Sequence, residues 1–253
     1  MTLVSTDWVE KNINNIKIID CSWHMPNVNR DGYKEYLEAH IQNAVFFDLE
    51  KNSDQMTDLP HMLTTSSDWE KIVSKMGISK DDEIVVYDNS DVLSSCRCWY
   101  NFIYFGHNNK LIHVLNGGLK KWKSENKPTT SIITKINPTK YTSSERKNLV
   151  KNKSEINENI NSEKFKVIDA RSKERFEGKV KEPRKGLRSG SIPKSMCIPF
   201  GNLINDDNTF KNENEILNIF KNTLGEEITT NIVFSCGSGV TASVLALAYS
   251  LIN

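Results

Sequence analysis

The chain repeats itself once, and the repeat dictates its architecture. Lys17-Ile18-Ile19-Asp20 in the first half is a short apolar run ending in an acid, and Lys166-Val167-Ile168-Asp169 in the second half does the same. Each is followed by a polar segment and a second apolar stretch, Ala44-Val45-Phe46-Phe47 and Met196-Cys197-Ile198-Pro199-Phe200. Helical patterns come next: Ser66 to Met76, opened by the cap signal Ser66-Ser67-Asp68, and Asn212 to Leu224. Third apolar runs close the unit, Ile84-Val85-Val86-Tyr87 and Ile232-Val233-Phe234-Ser235. Asp20 and Asp88 lie 68 positions apart, and Asp169 and Cys236 lie 67 apart. Strands alternating with helices build parallel sheets flanked by helices. The expected fold is α/β with two such domains, residues 1–128 and 162–253. Residues 129–161, rich in Thr, Lys and Asn and punctuated by Pro128 and Pro138, read as a linker wrapped over the surface.

In open parallel sheets ligands bind beyond the carboxyl ends of the strands. At that place in the second half stands Cys236-Gly237-Ser238-Gly239-Val240-Thr241, between the Ile232–Ser235 strand and an apolar helix from Ala242 to Ile252. Backbone N–H groups of a Gly-rich loop can converge on one point, and a helix N-terminus adds partial positive charge. Such a setting stabilises a thiolate or a persulfide anion. A lone cysteine at a strand end is ordinarily packing; two glycines and two hydroxyls around this one favour a nucleophile. The matching loop of the first half, Asp88-Asn89-Ser90-Asp91, has neither cysteine nor glycine, and its two carboxylates are expected to repel an anion. The first half therefore reads as a catalytically silent copy.

Composition excludes several classes. A net charge of +1 over 253 residues gives no reason to expect nucleic acid or an anionic membrane as partner. No apolar run is long enough to span a bilayer, and the N-terminus lacks the basic and apolar regions of a signal peptide, so the cytoplasm is the expected location. Five irregularly spaced cysteines make no disulfide framework. Cys96 and Cys98 fall two apart on a predicted helix, where side chains diverge, and His24, His40, His107 and His113 show no ligand spacing. No metal and no organic cofactor is expected, and these four histidines read as structural or surface residues.

Several segments together resemble the tandem-rhodanese sulfurtransferases. They are Asp169-Ala170-Arg171, Arg175-Phe176, Glu182-Pro183-Arg184-Lys185-Gly186, Ser191-Ile192-Pro193 and the Cys236 loop. In the first half Phe46-Phe47-Asp48, His61-Met62-Leu63, Phe105-Gly106-His107 and Asn116-Gly117-Gly118-Leu119-Lys120-Lys121-Trp122 are similar as well. Gly237-Ser238 looks like the 3-mercaptopyruvate branch of the family, since the thiosulfate branch usually carries Arg and Lys there. The resemblance implies Cys236 as the catalytic nucleophile and residues 237–241 as its loop. It implies Arg175 and Arg184 as the donor-binding cations, with His61 and Glu50 as an accessory pair. The implied reaction moves sulfur from 3-mercaptopyruvate through a cysteine persulfide to a thiol such as thioredoxin, or to cyanide, releasing pyruvate. Thiosulfate as donor and a non-enzymatic sulfur-carrier or regulatory module are the alternatives. A cysteine phosphatase would need an Arg where Ala242 stands. The first half continues past its third strand through Leu111–Leu115 into a further helix, whereas the second half ends at Asn253. The second sheet is thus expected to lack that strand and to need cover along its edge.

Overall fold

The computed structural model describes residues 1–184, 186–225, 228 and 231–253. They fall into two compact units, Met1–Arg146 with Asp206–Thr209, and Lys147–Asn205 with Phe210–Asn253.

In the first unit the elements run β1 (Leu3–Val4), α1 (Thr6–Asn12), β2 (Lys17–Asp20), α2 (Gly32–Glu38), β3 (Ala44–Phe46), α3 (Ser66–Lys75), β4 (Ile84–Tyr87), α4 (Ser95–Tyr104), β5 (Ile112–Leu115) and α5 (Gly118–Ser124). The sheet order is β1-β5-β4-β2-β3, and every neighbouring pair is parallel. All four residues of β4 and of β5 are buried, as a parallel sheet covered on both faces requires. One face packs Val9, Ile18, Tyr36, Ile41, Val85 and Trp122 into a single cluster. Helix α3 is capped by Thr65, one residue earlier than its sequence signal, because the Thr65 hydroxyl is the group that reaches the Asp68 N–H. The start of α2 lies so close to the exit of β2 that a Cβ on Gly32 would stand 2.1 Å from the Ser22 carbonyl oxygen, which only glycine tolerates.

The second unit contains α6 (Lys153–Ser162), β6 (Lys166–Asp169), α7 (Lys173–Phe176), β7 (Met196–Cys197), α8 (Glu213–Leu224), β8 (Ile232–Ser235) and α9 (Val240–Ser250). Its sheet has the order β7-β6-β8, all parallel, and reproduces the β3-β2-β4 core of the first unit. Among the described residues β8 pairs with β6 alone, and all four of its residues are half-buried, unlike those of β4. The last third of the segment read as a linker is helix α6, held at its start by reciprocal hydrogen bonds between Asn152 and Glu155. The unit boundary falls between Arg146 and Lys147. Among the described residues no helix is long and apolar enough to cross a membrane.

The repeat holds at the level of single hydrogen bonds. Asp20 and Asp169 end their strands, and each carboxylate accepts the backbone N–H two residues on, from Ser22 and from Arg171, at 2.9 Å in both. Asp20 is buried, and burial pushes its carboxyl up to about 6 despite hydrogen bonds from Ser22. Folding raises this pKa, so its contribution to stability is fully present below the unfolded value of about 3.9 and is lost as pH rises through 6. Urea denaturation should show a fall in stability between about pH 4 and about 6 that is present in the wild type and absent in Asp20→Asn. An identical slope in both proteins would assign that titration to another group.

Candidate active site

Strand β8 delivers the chain to Cys236, and α9 takes it away after only Gly237, Ser238 and Gly239. Val240 and Thr241, expected on the loop, are instead the first two residues of the helix. The loop is shorter than its sequence pattern because Gly239, at φ 82°, turns the chain directly into α9. Helix α9 is anchored by Val240, Ala242, Val244, Leu245, Leu247 and Ala248, all buried, which fixes the direction of its first turn. The Gly239 N–H donates to Cys236 Sγ at 3.0 Å. Gly239, as the cap, supplies no side-chain acceptor to the first-turn N–H groups of α9. The half-buried sulfur thus sits against a backbone donor at the positive end of a rigid helix.

The first unit uses the same backbone differently. The Asp88 carboxylate, buried, accepts the Ser90 N–H and the Ser95 N–H, each at 2.8 Å, and Ser95 opens α4. The loop's donors are therefore spent on the protein's own anion, whose pKa burial pushes up. Asp91, expected to repel anions, is itself neutralised by Lys120 at 2.6 Å, with Arg30 at 3.6 Å.

Arg175 lies on α7 and reaches the cysteine loop: its Nη2 is 3.4 Å from where a Cβ on Gly237 would stand. Its Nε and Nη2 donate to Glu182 at 3.2 and 2.6 Å. Glu182 also accepts from Arg171 Nη1 at 2.8 Å, and Arg171 is bound by Asp169 at 2.6–3.0 Å. Hydrogen bonds from Arg175 hold the Glu182 carboxyl below its ordinary value. Arg184 is half-buried and makes no hydrogen bond or ion pair among the described residues. Its neighbour Lys185 in the family-like segment lies outside the described residues. The roles of Asp169, Arg171 and Glu182 escape the sequence reading. The available signal is one acid, Glu182, inside the otherwise cationic run from Lys179 to Arg188.

His61 and Glu50 do meet, within the first unit. His61 Nε2 lies 3.0 Å from Glu50 Oε1, and the same oxygen accepts the Trp23 Nε1–H at 2.8 Å. His61 is buried at φ 57°, its ring edge-on to Trp23 and its carbonyl bound by Arg97 at 2.6 Å. None of the other four histidines is a surface residue. All are buried, and each has at least one ring nitrogen hydrogen-bonded, as His24 is to Glu35, His40 to Tyr36 and Ile132, and His107 to Tyr141 and Asp82. Among the described residues no group of His, Cys, Asp and Glu could hold a metal ion.

Of the five thiols, Cys21, Cys96 and Cys98 are buried, while Cys197 and Cys236 are partly exposed. Burial, aided by Asp169, pushes the Cys197 thiol up to about 11, so it stays protonated at neutral pH. Iodoacetamide at pH 7 should therefore label Cys236 first; labelling of Cys197 at the same rate would contradict this account. Asp88→Cys should create no second persulfide-forming thiol, because the first-unit loop lacks the glycines that open its counterpart. A sulfur adduct on that residue would show the first cradle to be intact.

Comparison with known proteins follows the same outline. Residues 5–125 and 152–252 match the rhodanese-like domain family. The chain is 37% identical over 270 residues to the Arabidopsis thaliana mitochondrial thiosulfate/3-mercaptopyruvate sulfurtransferase 1, covering 97% of this chain and 70% of that protein. It is 33% identical to the Mus musculus 3-mercaptopyruvate sulfurtransferase, covering 97% and 84%. The crystal structure of the 3-mercaptopyruvate sulfurtransferase SseA from Escherichia coli superimposes with a TM-score of 0.87 at 30% identity, over 99% of this chain and 94% of that one. With two rhodanese domains and this likeness along nearly its whole length, the chain belongs to the tandem-rhodanese sulfurtransferases.

Proposed function

We propose that this sulfurtransferase takes sulfur from 3-mercaptopyruvate and carries it as a persulfide on Cys236. The observation that carries the reading is the Gly239 N–H directed at Cys236 Sγ, on a loop whose other side chain is the neutral Ser238, with the Arg175 guanidinium beside Gly237. Attack of the Cys236 thiolate on the donor sulfur breaks the carbon–sulfur bond. Its electron pair leaves with carbon as pyruvate enolate, which takes up the donor's thiol proton. The negative charge passes to the terminal sulfur of the persulfide, where backbone N–H groups and the helix N-terminus stabilise it. A thiol acceptor, protein or small, then removes that sulfur and regenerates the thiolate.

Charge placement favours this donor. Thiosulfate is a compact dianion, best held by cations on the cysteine loop itself, and this loop has none. The cations lie off the loop, at Arg175 and Arg184, which suits a donor whose carboxylate is remote from its sulfur. The Nη1–Nη2 edge of Arg175 is the one left for a carboxylate, since Nε and Nη2 already serve Glu182.

Steady-state kinetics should give a higher kcat/KM for pyruvate release from 3-mercaptopyruvate than for sulfite release from thiosulfate, with cyanide as acceptor in both. Arg184→Ala should lower the former about tenfold or more by removing a charge-assisted contact. Gly237→Arg with Ser238→Lys should shift the ratio toward thiosulfate. A wild type that favours thiosulfate, or an Arg184→Ala variant with unchanged turnover, would overturn the donor assignment.

A further inference from the structure

We infer that Glu182 is a positioning residue that sets donor preference by holding Arg175 edge-on beside the cysteine loop and screening its charge. The inference rests on the sulfur-transfer reading above and names a determinant within that site.

Glu182 lies in a strongly cationic stretch, with Lys179, Lys181, Arg184 and Arg188 around it, yet its side chain is 4% exposed. It faces inward because two guanidiniums converge on it: Oε1 accepts from Arg171 Nη1 and Arg175 Nε, and Oε2 accepts from Arg175 Nη2. The two arginines are not equivalent. Arg171 is already matched by Asp169, whose carboxylate takes three hydrogen bonds from its guanidinium, and its Nη2 also donates to the Gly190 carbonyl at 2.8 Å. The negative charge of Glu182 is thus the one available to balance Arg175. The four groups form a linear chain of two carboxylates and two guanidiniums, running from the end of β6 to the cysteine loop.

Two consequences follow for a donor. Geometrically, Glu182 occupies the Nε side of Arg175 and fixes the plane of its guanidinium. Arg175 Nη1 makes no hydrogen bond among the described residues, so the ordered group presents an edge matched to a carboxylate. Electrostatically, a buried carboxylate in contact with the cation removes most of its field from the loop, an effect that low local dielectric strengthens. A monocarboxylate donor exploits the edge and needs little net field. A dianion with no carboxylate gains nothing from the edge and depends on the field. Glu182 therefore works for a carboxylate donor and against thiosulfate.

The test compares kcat/KM for 3-mercaptopyruvate and for thiosulfate, with cyanide as acceptor, in wild type, Glu182→Gln and Glu182→Asp. Glu182→Gln keeps the shape and removes the charge. It should move the ratio of the two efficiencies toward thiosulfate by about tenfold, the size of one unmasked charge-assisted contact, mainly through a lower KM for thiosulfate. Glu182→Asp keeps the charge and should keep the wild-type ratio even if both rates fall. If circular dichroism shows Glu182→Gln unfolded, Glu182→Ser unmasks the same cation and is read by the same ratio. Equal losses with both donors, or a Glu182→Asp ratio that moves as far as that of Glu182→Gln, would reduce Glu182 to a structural brace and overturn the inference. A wild type that prefers thiosulfate would instead count against the donor assignment, while the direction of the Glu182→Gln shift still decides this one.

Discussion

Parallel pairing of β6 with β8 sets Asp169 opposite Ser235, the residue before Cys236. Strands in a parallel sheet end at the same edge, so the loops that leave them share one surface. The acid that ends β6 organises Arg171, Arg171 meets Glu182, and Glu182 holds Arg175 against the loop that leaves β8. Nothing local to the sequence of that loop supplies a cation. The sheet brings one to it from a segment 61 positions earlier. The apolar α9 contributes the other half of the arrangement: a helix buried along most of its length cannot swing, so the donors of its first turn stay aimed.

The two units show what that backbone can be used for. Both place a loop and a helix start beyond the third strand of the repeat. In the first, Asp88 fills the cradle with a covalently attached anion and Lys120 answers Asp91, so the site is satisfied and closed. In the second, a thiol stands where the carboxylate does in the first, and it accepts the Gly239 N–H. The two loops differ in an internal carboxylate and in the absence of glycines from the first, with no change of fold.

Most of the framework was legible because it rests on short-range pattern. The apolar runs at Lys17, Ile84, Lys166 and Ile232 are strands, and the helical pattern from Asn212 to Leu224 is α8, with Asn212 as its cap. Two-residue β1 was illegible, since Leu3–Val4 is a strand only because β5 pairs with it. Helix α6 was hidden by sparse apolar residues, although the Asn152–Glu155 capping signal stood in the sequence. Cys236 could be singled out from its loop alone. Glu182 could not: the same charged stretch reads as solvated surface until Arg171 and Arg175 are folded onto it, and that convergence has no periodicity to betray it. Likewise Asp91 reads as a bare negative charge until Lys120, 29 positions away, arrives beside it.

The claim that the Cys236 loop is a cradle for a sulfur anion is tested most directly by intact-protein mass spectrometry after brief exposure to 3-mercaptopyruvate without acceptor, with peptide mapping of the product. The account predicts a gain equal to one sulfur atom, mapped to Cys236, absent from Cys236→Ser and discharged by cyanide. No gain in the wild type, or a gain carried by Cys197 or by any of the three buried thiols, would contradict it.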